Sequence, residues 1–304
     1  MQESHKSKCA PRAGEELRGI QRFWPLDDGA WGYGVACDMG TGTISCRLYS
    51  IESDEMLGEL SRENPLVRYG ETIAERIEAI REGHLDAMTD SLEDALVSMT
   101  SDLADKAGIA MSDVTCMVIC GNTAMECIMS RINPEDVADP LGGSSAIFGC
   151  DVDYIAANTK AITAGEAYLA PCPSLQVGGD IVCGLVAIDI LHASEPVLFI
   201  DFGAYTEIAL GNSRGITACS MGENKNVRDY IIALAEARGI ELDDIGSVLV
   251  AGDVPDGIPQ QLHDRLRYVG NAAIEGVSAV LLSGEAEEEL CNIVDAFECI
   301  EPKL

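Results

Sequence analysis

Apolar residues in this chain come in short runs that alternate or cluster, and each kind of run predicts a different element. Gly34–Cys37 is apolar and runs into Asp38-Met39-Gly40-Thr41-Gly42-Thr43. Ile44–Ile51 alternates, and Met56–Leu60 offers a third short strand. Leu85, Met88, Leu92, Leu96, Met99 and Leu103 then recur at helical spacing with acids between them, which predicts a long amphipathic helix. A buried-strand run, Met117–Cys120, follows and ends in Gly121-Asn122-Thr123, the start of another helix.

The same order returns later. Val197–Ile200 runs into Asp201-Phe202-Gly203-Ala204-Tyr205-Thr206. Glu207–Leu210 and Ile216–Cys219 predict two strands, Val227–Arg238 a helix, and Val248–Ala251 a strand ending at Gly252. A repeated Asp-x-Gly turn is common by chance, but a repeat of the whole ordered set is not. The pattern therefore reads as a divergent internal duplication with unequal insertions. Between the halves, Asp136–Pro173 reads as loop plus a small connecting unit, and Gly178-Gly179-Asp180 opens a helix over Ile181–Leu191. The expected organisation is an irregular lead-in over 1–33, a first lobe over 34–174 and a second, pruned lobe over 175–304.

Composition narrows the function classes. Aromatics make up only 5%, so the core must rest on aliphatic residues, Met and Cys. The net charge of -31 repels phosphate backbones and anionic lipid, which argues against a nucleic-acid or membrane partner. No apolar run approaches the ~20 residues of a membrane helix, and Met1–Cys9 lacks the apolar stretch of an export signal, so a cytoplasmic location is expected. The 12 cysteines show no C-x-x-C spacing and read as reduced, packed thiols.

An Asp at a strand end followed by Gly is a device for anions and cations together. Gly lets backbone N–H groups approach a phosphate, hydroxyls at Thr41 and Thr43 add donors, and the carboxylate can hold Mg2+. Two such turns would pinch a polyphosphate between two lobes, with Asp180 as a third acid. Taken singly, each signal has a plainer reading as a turn or helix cap.

These residues together resemble the actin, heat-shock chaperone ATPase and sugar kinase superfamily. Within it they are similar to the C-terminal ATPase part of the reductive activators of corrinoid proteins. Beyond the two Asp-x-Gly segments, the resemblance is carried by Asn64-Pro65-Leu66-Val67-Arg68-Tyr69-Gly70-Glu71, Arg76-Ile77, Gly121-Asn122-Thr123, Gly179-Asp180-Ile181-Val182, Ala218-Cys219-Ser220 and Val269-Gly270-Asn271-Ala272-Ala273. It implies a duplicated actin-like (ribonuclease H-like) α/β fold with a central cleft. It also implies ATP and Mg2+ as ligands, with Asp38, Asp180 and Asp201 as catalytic and metal-positioning acids. Gly40, Thr41, Thr43, Gly179, Gly203 and Gly252 would line the nucleotide. Its implied role is ATP-driven restoration of Co(I) corrinoid in a methyltransferase system. The implied partner is a corrinoid protein or corrinoid methyltransferase, and a homodimer is a further expectation.

The chain departs from the family pattern in four places. No segment before Tyr33 suits the iron–sulfur cluster that full-length activators carry, so no cluster is expected here. Ala204-Tyr205 replace the Thr and following polar residue of the second phosphate turn, a Gly-rich segment after Ser220 is missing, and the late strand ends Gly252-Asp253-Val254-Pro255. Those departures support an alternative, a catalytically silent actin-like scaffold that binds a partner without hydrolysing ATP. A small-molecule kinase is a third reading, with no sequence sign of an acceptor pocket.

Overall fold

The computed structural model describes residues 32–137, 147–149, 156–163, 165–203, 206–221, 226–252, 256–283 and 286–302. Residues 1–31 of the expected lead-in, Tyr205 of the second turn, and Pro255 lie outside the described residues.

Two sheets are built to one plan. In the first, β1 (Tyr33–Met39), β2 (Thr43–Ser50) and β3 (Glu55–Glu63) form an antiparallel meander. β4 (Val114–Gly121) lies parallel to β1 on its other side, and β5 (Ala156–Asn158) and β6 (Glu166–Leu169) extend the sheet in the order β3-β2-β1-β4-β6-β5. In the second, β7 (Val197–Phe202), β8 (Thr206–Asn212) and β9 (Gly215–Met221) repeat the meander. β10 (Ser247–Gly252) and β11 (Leu266–Tyr268) repeat the parallel strands, and β12 (Phe297–Cys299) closes the far edge beside β9. Strands β3-β2-β1-β4-β6 and β9-β8-β7-β10-β11 thus share order and direction, which is the duplication read from the sequence. The fold is the expected duplicated actin-like α/β architecture.

Strand alternation sorts side chains into three apolar layers. Val35, Cys37, Met39, Met117 and Ile119 face the outside of the first sheet, against Met88, Leu92, Leu96, Met99 and Leu103 of α2 (Leu85–Ala107). The short helix α1 (Ile73–Arg81) precedes it, capped by a reciprocal Thr72–Glu75 box. Leu198, Ile200, Ile208, Val248 and Val250 face the outside of the second sheet, against Tyr230, Ile231 and Leu234 of α5 (Val227–Arg238). The inner faces, with Ala36, Val118 and Cys120 from one sheet and Phe199, Ala209 and Ala218 from the other, meet a shared middle layer.

That middle layer is two crossing helices, α4 (Gly179–Ala187) and α6 (Ala272–Leu282). α6 follows the second sheet in sequence yet packs against β1, β4 and β2 of the first. The crossing is backbone to backbone: a methyl group on Gly276 would overlap the Cys183 carbonyl and lie 2.9 Å from the Cys183 Cα. α3 (Thr123–Met129) and α7 (Ala286–Asp295) complete the described helices. No helix among the described residues is long and apolar enough to cross a membrane.

Three local readings change. The connecting unit supplies β5 and β6, too short to register as strands in the sequence but long enough to pair with β4 through Val118 and Ile119. α4 stops at Ala187 rather than Leu191, because Asp189 takes a left-handed backbone, φ 55°, that an α-helix cannot continue through. The thiols Cys37, Cys46, Cys116, Cys120, Cys127, Cys172, Cys183 and Cys219 are free, as expected, whereas Cys291 is disulfide-bonded, against the all-reduced reading. Burial pushes the thiols of Cys116, Cys127 and Cys219 up to about 12, so they act as protonated packing groups.

Candidate functional site

The site is built where strand ends from both sheets meet the start of α4. Asp38 is the penultimate residue of β1, and Asp201 the penultimate residue of β7. Asp180 lies in the first turn of α4, behind the Gly178 cap. Each carboxyl is half-buried, so each lines a recess rather than a packed core. Their charges act on one another: Asp38 pushes Asp180 up, and Asp180 and Asp38 both push Asp201 up. The three sequence-chosen acids therefore share one electrostatic space.

Among the described residues no cation compensates them. Burial, the largest cause for each, raises Asp38 to about 6, Asp180 to about 7 and Asp201 to about 8. Two opposing bonds hold these values down: Asn271 Nδ2 donates to Asp38 Oδ2 at 2.8 Å, and the Ile181 N–H donates to Asp180 Oδ1 at 2.9 Å. A divalent cation is the chemical complement of this donor set. Among the described residues no three acids, Cys or His converge into a ready-made metal cage.

Two further acids were not singled out from the sequence. Glu126 is fully buried in α3, where its Oε1 accepts from the Gly121 N–H at 3.1 Å. Glu207 is buried on β8, and its Oε1 accepts from the Gly178 N–H at 3.2 Å. Burial first, then the charge of Asp180, holds both carboxyls well above their ordinary range. They bracket the start of α4, one from each lobe. Gly179 fits between Glu126 and Ala170 only because it has no side chain: an added Cβ would lie 2.5 Å from Glu126 Oε1. Glu126 could have been noticed as a lone acid in an otherwise apolar helix, Thr123–Met129.

The first Asp-x-Gly turn, Gly40–Thr43, is fastened from three directions. Asn64, fully buried, donates from Nδ2 to the Gly40 carbonyl at 2.7 Å, and its own N–H donates to the Gly42 carbonyl at 2.9 Å. Arg76, also fully buried, donates to the Thr41 carbonyl at 2.6 Å and the Gly70 carbonyl at 3.1 Å. Asn122 donates to the Thr41 hydroxyl at 2.9 Å. Thr41 is consequently buried and held, while Gly42 and Thr43 stay exposed at the mouth. Asn64 and Arg76 thus buttress the turn that follows Asp38.

The second turn is less supported among the described residues. Gly203 is exposed at the end of β7. Gly252 ends β10 opposite Phe202, with φ 80° and with its Cα so close to the Phe202 carbonyl that a side chain would collide. Both glycines lie at the same edge of the second sheet as Asp201.

The corrinoid activation enzyme RamQ of Eubacterium limosum is 28% identical over 187 residues, which is 59% of this chain and 30% of that protein. The [Co(II) methylated amine-specific corrinoid protein] reductase of Methanosarcina barkeri is 24% identical over 191 residues, 59% of this chain and 34% of that protein. The chain thus spans about a third of the length of these curated relatives. A solved reductive activator for a corrinoid, iron–sulfur protein superposes with a TM-score of 0.76 at 16% identity, covering 90% of this chain and 64% of that one. It shares the fold. The family described as the RACo middle region matches residues 33–193, from the first residue of β1 past the end of α4. With more than half of its length matched, the chain belongs to the RACo middle-region family and is homologous to the corrinoid reductive activators.

Proposed function

We propose that the chain binds Mg-ATP between its two sheets and works in the reductive reactivation of a corrinoid protein within a methyltransferase system. One observation carries the reading: three mutually repelling, half-buried acids, delivered by β1, α4 and β7, with no basic group to balance them among the described residues. Asp38, Asp180 and Asp201 would hold the cation, directly or through water. Gly40, Thr43 and Gly203 would present the phosphate contacts, Thr41 would set the shape of the first turn, and Gly252 would border the adenosine. Bound Mg2+ would supply positive charge that screens the phosphates and the acids alike. The chain's own part is to hold two turns at a fixed separation and to let that separation answer to the nucleotide. The named activities of the homologous RamQ and corrinoid protein reductase supply the pathway and the corrinoid partner.

Calorimetric titration with Mg-ATP tests the binding step. Micromolar affinity in the native chain, lost in Asp38→Asn, is the expected result. Silence at millimolar Mg-ATP would overturn it and favour the silent scaffold, whose support is the departure of Ala204-Tyr205 from the phosphate-turn pattern.

A further inference from the structure

Asn271 joins two jobs in one amide. Its Oδ1 accepts from the Ile274 N–H at 3.1 Å and caps α6, while its Nδ2 donates to Asp38 Oδ2 at 2.8 Å. A backbone N–H can only donate and an ionised carboxylate can only accept, so both ends fix the same amide orientation. Asp38 Oδ1 makes no hydrogen bond among the described residues, which leaves that oxygen for the recess.

The helix that carries Asn271 is itself pinned. Glu275, one turn on, pairs with Arg47 of β2 at 2.8 Å. Gly276 rests on the Cys183 backbone of α4, and Ala273, Ile274 and Val277 are buried in the middle layer. The amide therefore reaches Asp38 from a fixed platform. The two residues are 233 positions apart in the chain.

We infer that Asn271 is a positioning residue that holds Asp38, with one carboxylate oxygen occupied and the other aimed into the cleft, for binding of the magnesium nucleotide. The inference rests on the proposed role of Asp38 as a cation-holding acid. It gives the Val269–Ala273 stretch a task beyond helix capping. Groups that orient a carboxylate ligand through its second oxygen typically alter metal affinity about ten- to a hundredfold when removed.

The test separates capping from aiming. Ser is as good an N-cap as Asn but cannot reach Asp38. Asn271→Ser should keep the thermal midpoint of the native chain and weaken Mg-ATP binding by about tenfold or more. Asn271→Ala should lose both the cap and the affinity. Unchanged Mg-ATP affinity in Asn271→Ser would overturn the inference. A spectroscopic readout covers the case in which the native chain binds no Mg-ATP. The side-chain amide resonances of Asn271, identified by their absence in Asn271→Ser, should move toward those of a free amide in Asp38→Ala. Resonances that stay in place would reject the inference, whatever the fate of the nucleotide reading.

Discussion

Gly276→Ala sets helix propensity against packing. Propensity alone favours Ala over Gly inside a helix by about 1 kcal/mol. At the crossing of α4 and α6, however, the new methyl would overlap the Cys183 carbonyl and stand 2.9 Å from its Cα. Carbon–oxygen contacts settle near 3.3 Å or beyond, so the helices must part by about 1 Å or more. Backbone cannot swing aside as a side-chain tip can. Parting the helices also loosens Ile181, Leu185, Val277 and Val280, all buried in the shared layer. Overpacking of this kind costs about 1–3 kcal/mol, and rigid backbone places the cost at the upper end. Against the propensity gain, the expected net loss is about 2 kcal/mol. Gly184→Ala, whose methyl would meet the Phe199 ring at 2.7 Å, should cost less, since an aromatic edge can tilt. Urea denaturation followed by far-ultraviolet circular dichroism gives both values. A Gly276→Ala midpoint at or above that of the native chain would show that the helices do not cross here, and the reasoning would fail.

Two further outcomes follow from the site. Asn64→Ala orphans the Gly40 carbonyl and the Leu66 N–H, each bonded to the Asn64 side chain, and should cost about 2–4 kcal/mol in the same assay. Stability should also depend on pH in an unusual direction. Asp38, Asp180 and Asp201 bind protons more tightly folded than unfolded, with folded values of about 6, 7 and 8. Their contribution is therefore whole below about pH 4, where unfolded carboxylates protonate, and is lost as pH rises through those folded values. In chelator the thermal midpoint should fall between about pH 5 and 8, and millimolar Mg2+ should flatten that fall. A midpoint that rises with pH in chelator would contradict the uncompensated acid cluster.

How much of this could be read beforehand depended on whether a residue's task was local. Asp38 and Asp201 announce themselves because a strand, an acid and a Gly stand side by side. The repeated order of strands, turn and helix was legible from the alternation, whereas the sheet order came from the strand pairing. Glu207 and Glu126 gave no such sign, because their partners, the N–H groups of Gly178 and Gly121, are supplied by folding. Asn64 and Arg76 marked the family, but their grip on the Gly40–Thr43 turn needed coordinates. β6 was missed because four residues carry too little periodicity, and only the β4 edge makes them a strand.

The exchanged helix has a consequence for anyone who would cut the molecule in two. The inner surface of the first sheet is roofed by α6, which follows strands β7 to β11 of the second sheet in the chain. A fragment ending near residue 174 would leave Ala36, Val118, Cys120 and Tyr168 wet, and a fragment beginning there would leave bare the face of α6 that packs on β1, β4 and β2. The ancestral duplication has become irreversible: neither copy retains a surface on which it could live alone.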